Sequence, residues 1–305
     1  MSPTNPETAA TLTEALGAER VRALVVTAIE EDLGERDLTT STAVPAGRQI
    51  VARLVAKGHG VLAGLELFAE AFRVCDDQVV VSFAFEDGDT VQPGDQVARV
   101  QGDARALLIA ERTALNFLQQ TSGVATLTAQ FVERARGRVR ILDTRKTIPL
   151  LRYLQKYAVV MGGGENHRFG LFDEAMIKDN HTDLAGMSLS ALTASVREQL
   201  GPDVRITSEA RTPEEARGAI IGGADVVLLD NMTPAEMRAL VPELRALSAS
   251  QARQIELEAS GGVTLESIDA IAETGVDRVS IGALTHSAPV LDLSLLIETQ
   301  VGARA

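Results

Sequence analysis

Arg145, Lys146, His167, Arg168 and Lys178 fall in one stretch, from Asp143 to His181, around the triple glycine Gly162-Gly163-Gly164. Guanidinium forks match carboxylates and phosphates in bidentate fashion, and ammonium groups serve phosphates as point charges. The cluster therefore predicts one or more substrates that carry several negative charges. It stands out because the chain as a whole is acidic, with a formal net charge of -13 and a pI near 4.9. Such a chain repels nucleic acid, and with 3% aromatic residues and no Trp it has few platforms for stacking bases. A general nucleic-acid binder is excluded on both counts.

Positioning these groups requires a scaffold, and the apolar pattern suggests which. Leu12 to Leu33 has helical spacing and ends at Gly34, and a polar, threonine-rich turn follows from Asp37 to Ser41. Residues 50–56, 79–85 and 97–100 then read as strands separated by tight turns. Asp103 has the character of an N-cap for a long helix to about Arg136, with an interruption expected near Ser122-Gly123. From Arg140 onward strands and helices alternate in about six β-α units, the pattern of a parallel barrel or a doubly wound sheet. The domain boundary is expected beside residue 115: 1–114 an α/β domain, 115–287 a barrel, with the last segment, 288–305, strand-like or helical and able to return to the first domain.

Polar residues at the strand ends favour the barrel. Glu209, Asp230, Ser260-Gly261-Gly262 and Gly282-Ala283 each end or follow a predicted strand, as Arg145 and Lys178 do. A β/α barrel gathers its site from the C-terminal ends of many strands, commonly with a phosphate in the loops of the last ones. The backbone N–H groups of Gly261, Gly262 and Gly282 are candidates for that phosphate, with help from a helix starting near Thr264. Two carboxylates, Glu209 and Asp230, facing a phosphate site suggest Mg²⁺ held largely through substrate oxygens, or hydrogen bonds to sugar hydroxyls. The lesser alternative is that Asp230 caps the helix that begins at Pro234. The four histidines lack zinc-site spacing, and no Ser-His-Asp or Cys-His arrangement can be read. The single Cys75 cannot form an intramolecular disulfide, residues 1–11 hold no apolar signal-peptide core, and no run is long enough to span a membrane. A cytoplasmic protein with a loose N-terminus is expected.

The strings ERTALN, DTRKT, KYAV, GGGxNHR, KDNH, LLDN, EASGG and GALTHS occur in this order between Glu111 and Ser287, and EDLGERDLT precedes them from Glu31. In these motifs nearly the whole chain resembles quinolinate phosphoribosyltransferase, the decarboxylating nicotinate-nucleotide pyrophosphorylase. The resemblance implies an N-terminal α/β sandwich domain joined to an incomplete α/β barrel, working as a homodimer on quinolinate and phosphoribosyl pyrophosphate with Mg²⁺. It further implies that Arg145, His167, Arg168 and Lys178 hold the quinolinate carboxylates, with Arg112 reaching in from the partner subunit. Lys146 and Lys178 would face phosphoribosyl pyrophosphate, Glu209 and Asp230 its ribose hydroxyls and Mg²⁺. Ser260, Gly261, Gly262, Gly282, Ala283 and His286 would line the phosphate end. Lys146, Lys178, Glu209 and Asp230 are the expected catalytic groups.

This chain departs from the family pattern where an E-V-E-V strand end is usual, since it has Thr207-Ser208-Glu209-Ala210 and so lacks the first acid. Val160 stands where a basic residue is usual after KYAV, and Arg36 where glycine is usual. Three other readings stay open at this stage. They are a pyrophosphorylase-like paralogue acting on another aromatic acid, an aldolase-type barrel with Lys178 as Schiff-base former, and a non-catalytic anion-binding protein.

Overall fold

The computed structural model describes residues 11–298. The chain divides into two compact units. The first comprises the residues up to Ala129, Ile148–Gly163 and the segment from Ser287; the second comprises Gln130–Thr147 and Gly164–His286. The loose N-terminus expected before Thr11 and the last residues of the expected tail lie outside the described residues.

The first unit opens with α1 (Leu12–Leu16), α2 (Ala18–Leu33) and α3 (Leu38–Ala43). The single helix expected over 12–33 is divided at Gly17, whose φ of 85° ends α1 while its N–H donates to the Thr13 carbonyl. The expected turn at 37–41 is instead α3, because the Asp37 carboxylate accepts the Thr40 N–H at 2.8 Å and caps it. Next come β1 (Gln49–Ala56), β2 (Gly60–Val61), α4 (Leu65–Cys75), β3 (Val80–Phe83), β4 (Thr90–Val91), β5 (Gln96–Asp103) and α5 (Ala104–Ala135). Helix α4, not expected from the sequence, buries Leu67, Phe68 and Phe72 in the core of this unit.

Asp103 caps α5 as expected, accepting the Arg105 and Ala106 N–H groups, but the helix runs unbroken through Ser122-Gly123 and through residue 115. A Cβ at Gly123 would stand 2.1 Å from the Pro289 carbonyl oxygen. That glycine admits a neighbouring backbone; it does not end a helix.

The second unit begins with β6 (Arg140–Leu142). The following helix, α6 (Arg152–Met161), belongs to the first unit, although its place in sequence suggested the β-α array. The array then runs β7 (Ala175–Ile177), α7 (Asp179–Ala185), α8 (Leu189–Leu200), β8 (Ile206–Ala210), α9 (Pro213–Ile221), β9 (Val226–Asp230), α10 (Pro234–Ser250), β10 (Glu256–Ser260), α11 (Ile268–Ala272), β11 (Arg278–Ser280) and α12 (Ala283–His286). Thr212 and Thr233 cap α9 and α10, each with proline at the first helical position, where its missing N–H costs nothing. The final strand, β12 (Leu293–Ile297), pairs antiparallel with β1, so the first unit holds the sheet β12-β1-β5-β3.

Among the described residues the second unit's six strands are all parallel, in the order β6-β11-β10-β9-β8-β7. A doubly wound sheet would reverse its strand order at a switch point. Here each strand from β7 to β11 adds beside its predecessor in one direction and β6 completes the row, which is barrel order. β6 and β7 are not paired, so the barrel is incomplete, and Glu165 bridges to Leu142 on the free side of β6. The register sets Glu209, Leu228, Glu258, Arg278 and Arg140 side by side, with Asp230, Ser260 and Ser280 one step further along. Because strand side chains alternate faces, these rows share the barrel's inner face.

Candidate active site

The inner face ends in a cavity of about 350 Å³ lined by Thr144, Arg145, Lys146, His167, Arg168, Met176, Lys178, Glu209, Leu228, Asp230, Ser260 and Ser280. The strand residues among them keep one parity and lie at the C-terminal ends, where a β/α barrel places its chemistry. Eight of the residues expected from sequence meet here; Thr144, Met176, Leu228 and Ser280 were missed. Alternation would have found Met176 and Leu228, which sit two residues before Lys178 and Asp230 on the same strand face.

The loops are built to aim the cations. Thr144 Oγ1 accepts the Lys146 N–H at 3.0 Å, tightening the turn after β6. The buried Asp143 carboxylate accepts the His167 N–H at 2.9 Å, joining that turn to the loop that carries Arg168. Asp173 closes this second loop by accepting the Phe169 and Gly170 N–H groups. Burial, and then the charge of Arg145, pushes the Arg168 guanidinium below its usual range against the opposing pull of Glu174 and Asp173. Two half-buried guanidinium groups brought together are a site that favours an anion.

Lys178 pairs with Glu209 directly across β7 and β8. The lysine side chain is 42% exposed and the carboxylate 10%, so the ammonium remains reachable from the cavity. Asp230 accepts from the Asn231 side chain at 2.8 Å. Thr233, not Asp230, caps α10, so the helix-capping reading of Asp230 is replaced.

His167 differs from the other expected anion contacts. Its Nδ1 accepts the Arg168 N–H at 2.6 Å and its Nε2 stands 3.3 Å from Glu258 Oε1, so both ring nitrogens face the protein. Glu258 is fully buried and also meets Arg278, Nε to Oε2 at 2.8 Å. These contacts are close but poorly aligned for hydrogen bonds. Burial pushes the Glu258 carboxyl up, but His167, Arg278 and Ser280 outweigh it and hold the group below the usual carboxylate range.

The remaining expected residues flank the cavity or lie elsewhere. Gly282 gives room to Lys146 and His286, whose Cδ and Nε2 would stand 3.2 and 3.1 Å from a Cβ there, and Ala283 begins α12. Gly261, with φ of 100°, leaves space for the Asn231 amide, and Gly262 follows with φ of 57°. The helix expected to start near Thr264 starts at Ile268, since Thr264–Ser267 form a turn closed by Ser267 Oγ. Its N-terminus is therefore not adjacent to Gly262. Arg112 is exposed on α5 and lines a cavity of about 280 Å³ in the first unit with Glu31, Asp32, Asn116 and Gln155. Among the described residues no group of three or more metal-ligating side chains occurs, and no helix is long and apolar enough to cross a membrane.

Four cations facing two carboxylates in a barrel mouth suit an anionic substrate next to a polyol or phosphate. A family profile described as the quinolinate phosphoribosyl transferase C-terminal domain matches residues 124–296, and that of the N-terminal domain matches residues 37–122. This chain belongs to the quinolinate phosphoribosyltransferase family. Among its relatives, the probable nicotinate-nucleotide pyrophosphorylase [carboxylating] of Bacillus subtilis (strain 168) is 43% identical over 266 residues, covering 87% of this chain and 89% of the relative. Quinolinate phosphoribosyltransferase [decarboxylating] 1b of Nicotiana tabacum is 37% identical, over 92% of this chain and 83% of its own. The crystal structure of NadC from Streptococcus pyogenes superposes with a TM-score of 0.84 at 36% identity, covering 92% of this chain and 98% of that one. The chain thus spans most of the length of these quinolinate phosphoribosyltransferase relatives, and the sandwich-plus-incomplete-barrel expectation agrees with their fold.

Proposed function

We propose that this protein converts quinolinate and phosphoribosyl pyrophosphate to nicotinate mononucleotide, pyrophosphate and CO₂, a step of NAD biosynthesis. The observation that carries this reading is the barrel-mouth cavity in which Arg145, Lys146, Arg168 and Lys178 face Glu209 and Asp230. The two guanidinium groups, with the Lys178 ammonium, bind the carboxylates of quinolinate and orient its ring nitrogen. Lys146 and Lys178 face the phosphoribosyl pyrophosphate, and Ser260 with Gly261, Gly262, Gly282, Ala283 and His286 lines the phosphate end. The nitrogen attacks the anomeric carbon as pyrophosphate leaves; Glu209 and Asp230 bind the ribose hydroxyls and stabilise the positive charge that develops on the sugar. The 2-carboxylate then departs as CO₂ and leaves its electron pair on C2 as a carbanion, which the adjacent quaternary nitrogen stabilises until a proton adds there.

Two carboxylates, one of them committed to Lys178, cannot cage a metal by themselves, but they fit Mg²⁺ held largely by substrate oxygens. Bound there, with Glu209 and Asp230 as the protein's share, it would neutralise charge on the leaving pyrophosphate.

The test is product formation from quinolinate, phosphoribosyl pyrophosphate and Mg²⁺, followed by chromatography and mass detection, with nicotinate in place of quinolinate as control. Nicotinate mononucleotide from quinolinate alone supports the reading. No product, with calorimetry still detecting quinolinate, turns it towards a binding protein or a paralogue for another aromatic acid.

We infer in addition a cytoplasmic homodimer in which Arg112 serves the site of the second copy, a role suited to an exposed arginine outside the cavity's lining. Mixing inactive Arg112→Ala and Lys178→Ala proteins should then restore part of the activity. No recovery after proven subunit exchange would put the site within one chain.

A further inference from the structure

The group beneath the cavity that the reaction leaves unused is Glu258, fully buried between His167 and Arg278. We propose that Glu258 is a positioning residue: by facing Nε2 it fixes His167 as the Nε2–H tautomer, whose bare Nδ1 holds the Arg168 N–H and so sets the guanidinium of Arg168. This deepens the proposed function and rests on it. A donor at Nδ1 and a carboxylate at Nε2 leave the ring one arrangement, with its proton on Nε2, because a proton on Nδ1 would oppose the Arg168 N–H at 2.6 Å. The backbone side is anchored as well, through the His167 N–H on Asp143. Arg168 is thereby held at both ends, since its guanidinium donates to the Glu174 carbonyl at 3.3 Å. A histidine clamped in this way acts on substrate through its neighbour, as second-layer partners orient ligands in metal sites.

Side-chain amides separate this role from a direct anion contact. Asn places an oxygen near the position of histidine Nδ1, and Gln places its amide near Nε2. His167→Asn is expected to keep the quinolinate KM within about threefold of the original, while His167→Gln raises it roughly tenfold, the net worth of one hydrogen bond. In both variants the KM for phosphoribosyl pyrophosphate should change little. The opposite ranking, Gln conservative and Asn damaging, would make Nε2 a substrate contact and overturn the proposal.

Glu258→Gln supplies a readout independent of activity. Its amide oxygen must turn to Arg278, which presents an NH₂ to His167 Nε2 and drives the ring proton to Nδ1. The ¹⁵N spectrum of the His167 ring, one of four histidines, should show Nε2 protonated in the original protein and Nδ1 protonated in the variant. An Nδ1–H or fully protonated ring in the original folded protein would sink the proposal, whatever the substrate proves to be. If instead the proposed function is at fault, the original protein will fail to bind quinolinate while its ring spectrum stays as described.

Discussion

Replacing Glu209 by Gln should tighten the binding of quinolinate while it cripples turnover. In the structure the Glu209 carboxylate occupies the Lys178 ammonium, so an arriving substrate carboxylate must share that cation and stand near a like charge. Two carboxylates about 4 Å apart repel by ~4 kcal/mol at an effective dielectric constant of 20, and by ~1 kcal/mol in water. Lys178 is 42% exposed, which places the pair towards the screened end. A net relief of about 1–2 kcal/mol is expected, hence an affinity gain of roughly five- to thirtyfold. Calorimetry with quinolinate alone, without phosphoribosyl pyrophosphate or metal, reads this directly, and the gain should shrink as salt is raised. Turnover should fall by about a hundredfold or more, since a neutral amide is a poor partner for a cationic sugar. Unchanged or weaker quinolinate binding by a folded Glu209→Gln protein would refute the idea that substrate competes with Glu209 for Lys178.

Gly123→Ala sets two effects against each other. Alanine in α5 gains up to about 1 kcal/mol of helix propensity, yet its Cβ would meet the Pro289 carbonyl at 2.1 Å, and forcing the backbones apart costs about 1–3 kcal/mol. A Tm lower by several degrees in calorimetry is expected, and a higher one would mean that the 289 segment does not press on α5. Glu256 tests pH dependence. Burial pushes its carboxyl up, but Arg205, Arg278 and Arg140 hold it, on balance, below the usual carboxylate range. A folded value below the unfolded one gives stability that is present above the ordinary glutamate range and lost as pH falls through the folded value. Glu256→Gln should therefore be less stable at neutral pH and flatter in Tm on acidification from pH 5; a parallel acid limb in both proteins would show that the arginines do not act through this carboxylate.

By itself the sequence determined the β-α rhythm after Arg140, the anionic class of the substrate and, through its motifs, the family. These are local properties: apolar runs of strand length between helical ones, and an excess of guanidinium and ammonium groups too concentrated for an acidic chain. It also placed Asp103 as a cap and Lys178, Glu209, Asp230 and Ser260 at strand ends, because a cap or a strand end is written within a few residues. Gly123 was misread for the same reason. A glycine that breaks a helix and one that makes room for a distant backbone look identical in sequence, and only the approach of Pro289 distinguishes them. Tertiary structure alone sent α6 to the first unit, fixed the returning tail as a strand, β12, on β1 and set the His167 ring against Glu258 and the Arg168 backbone. Those outcomes depend on which partners fold back across long stretches of chain, and a buried ring or carboxylate takes its bonds from whatever packing brings within 3 Å or so.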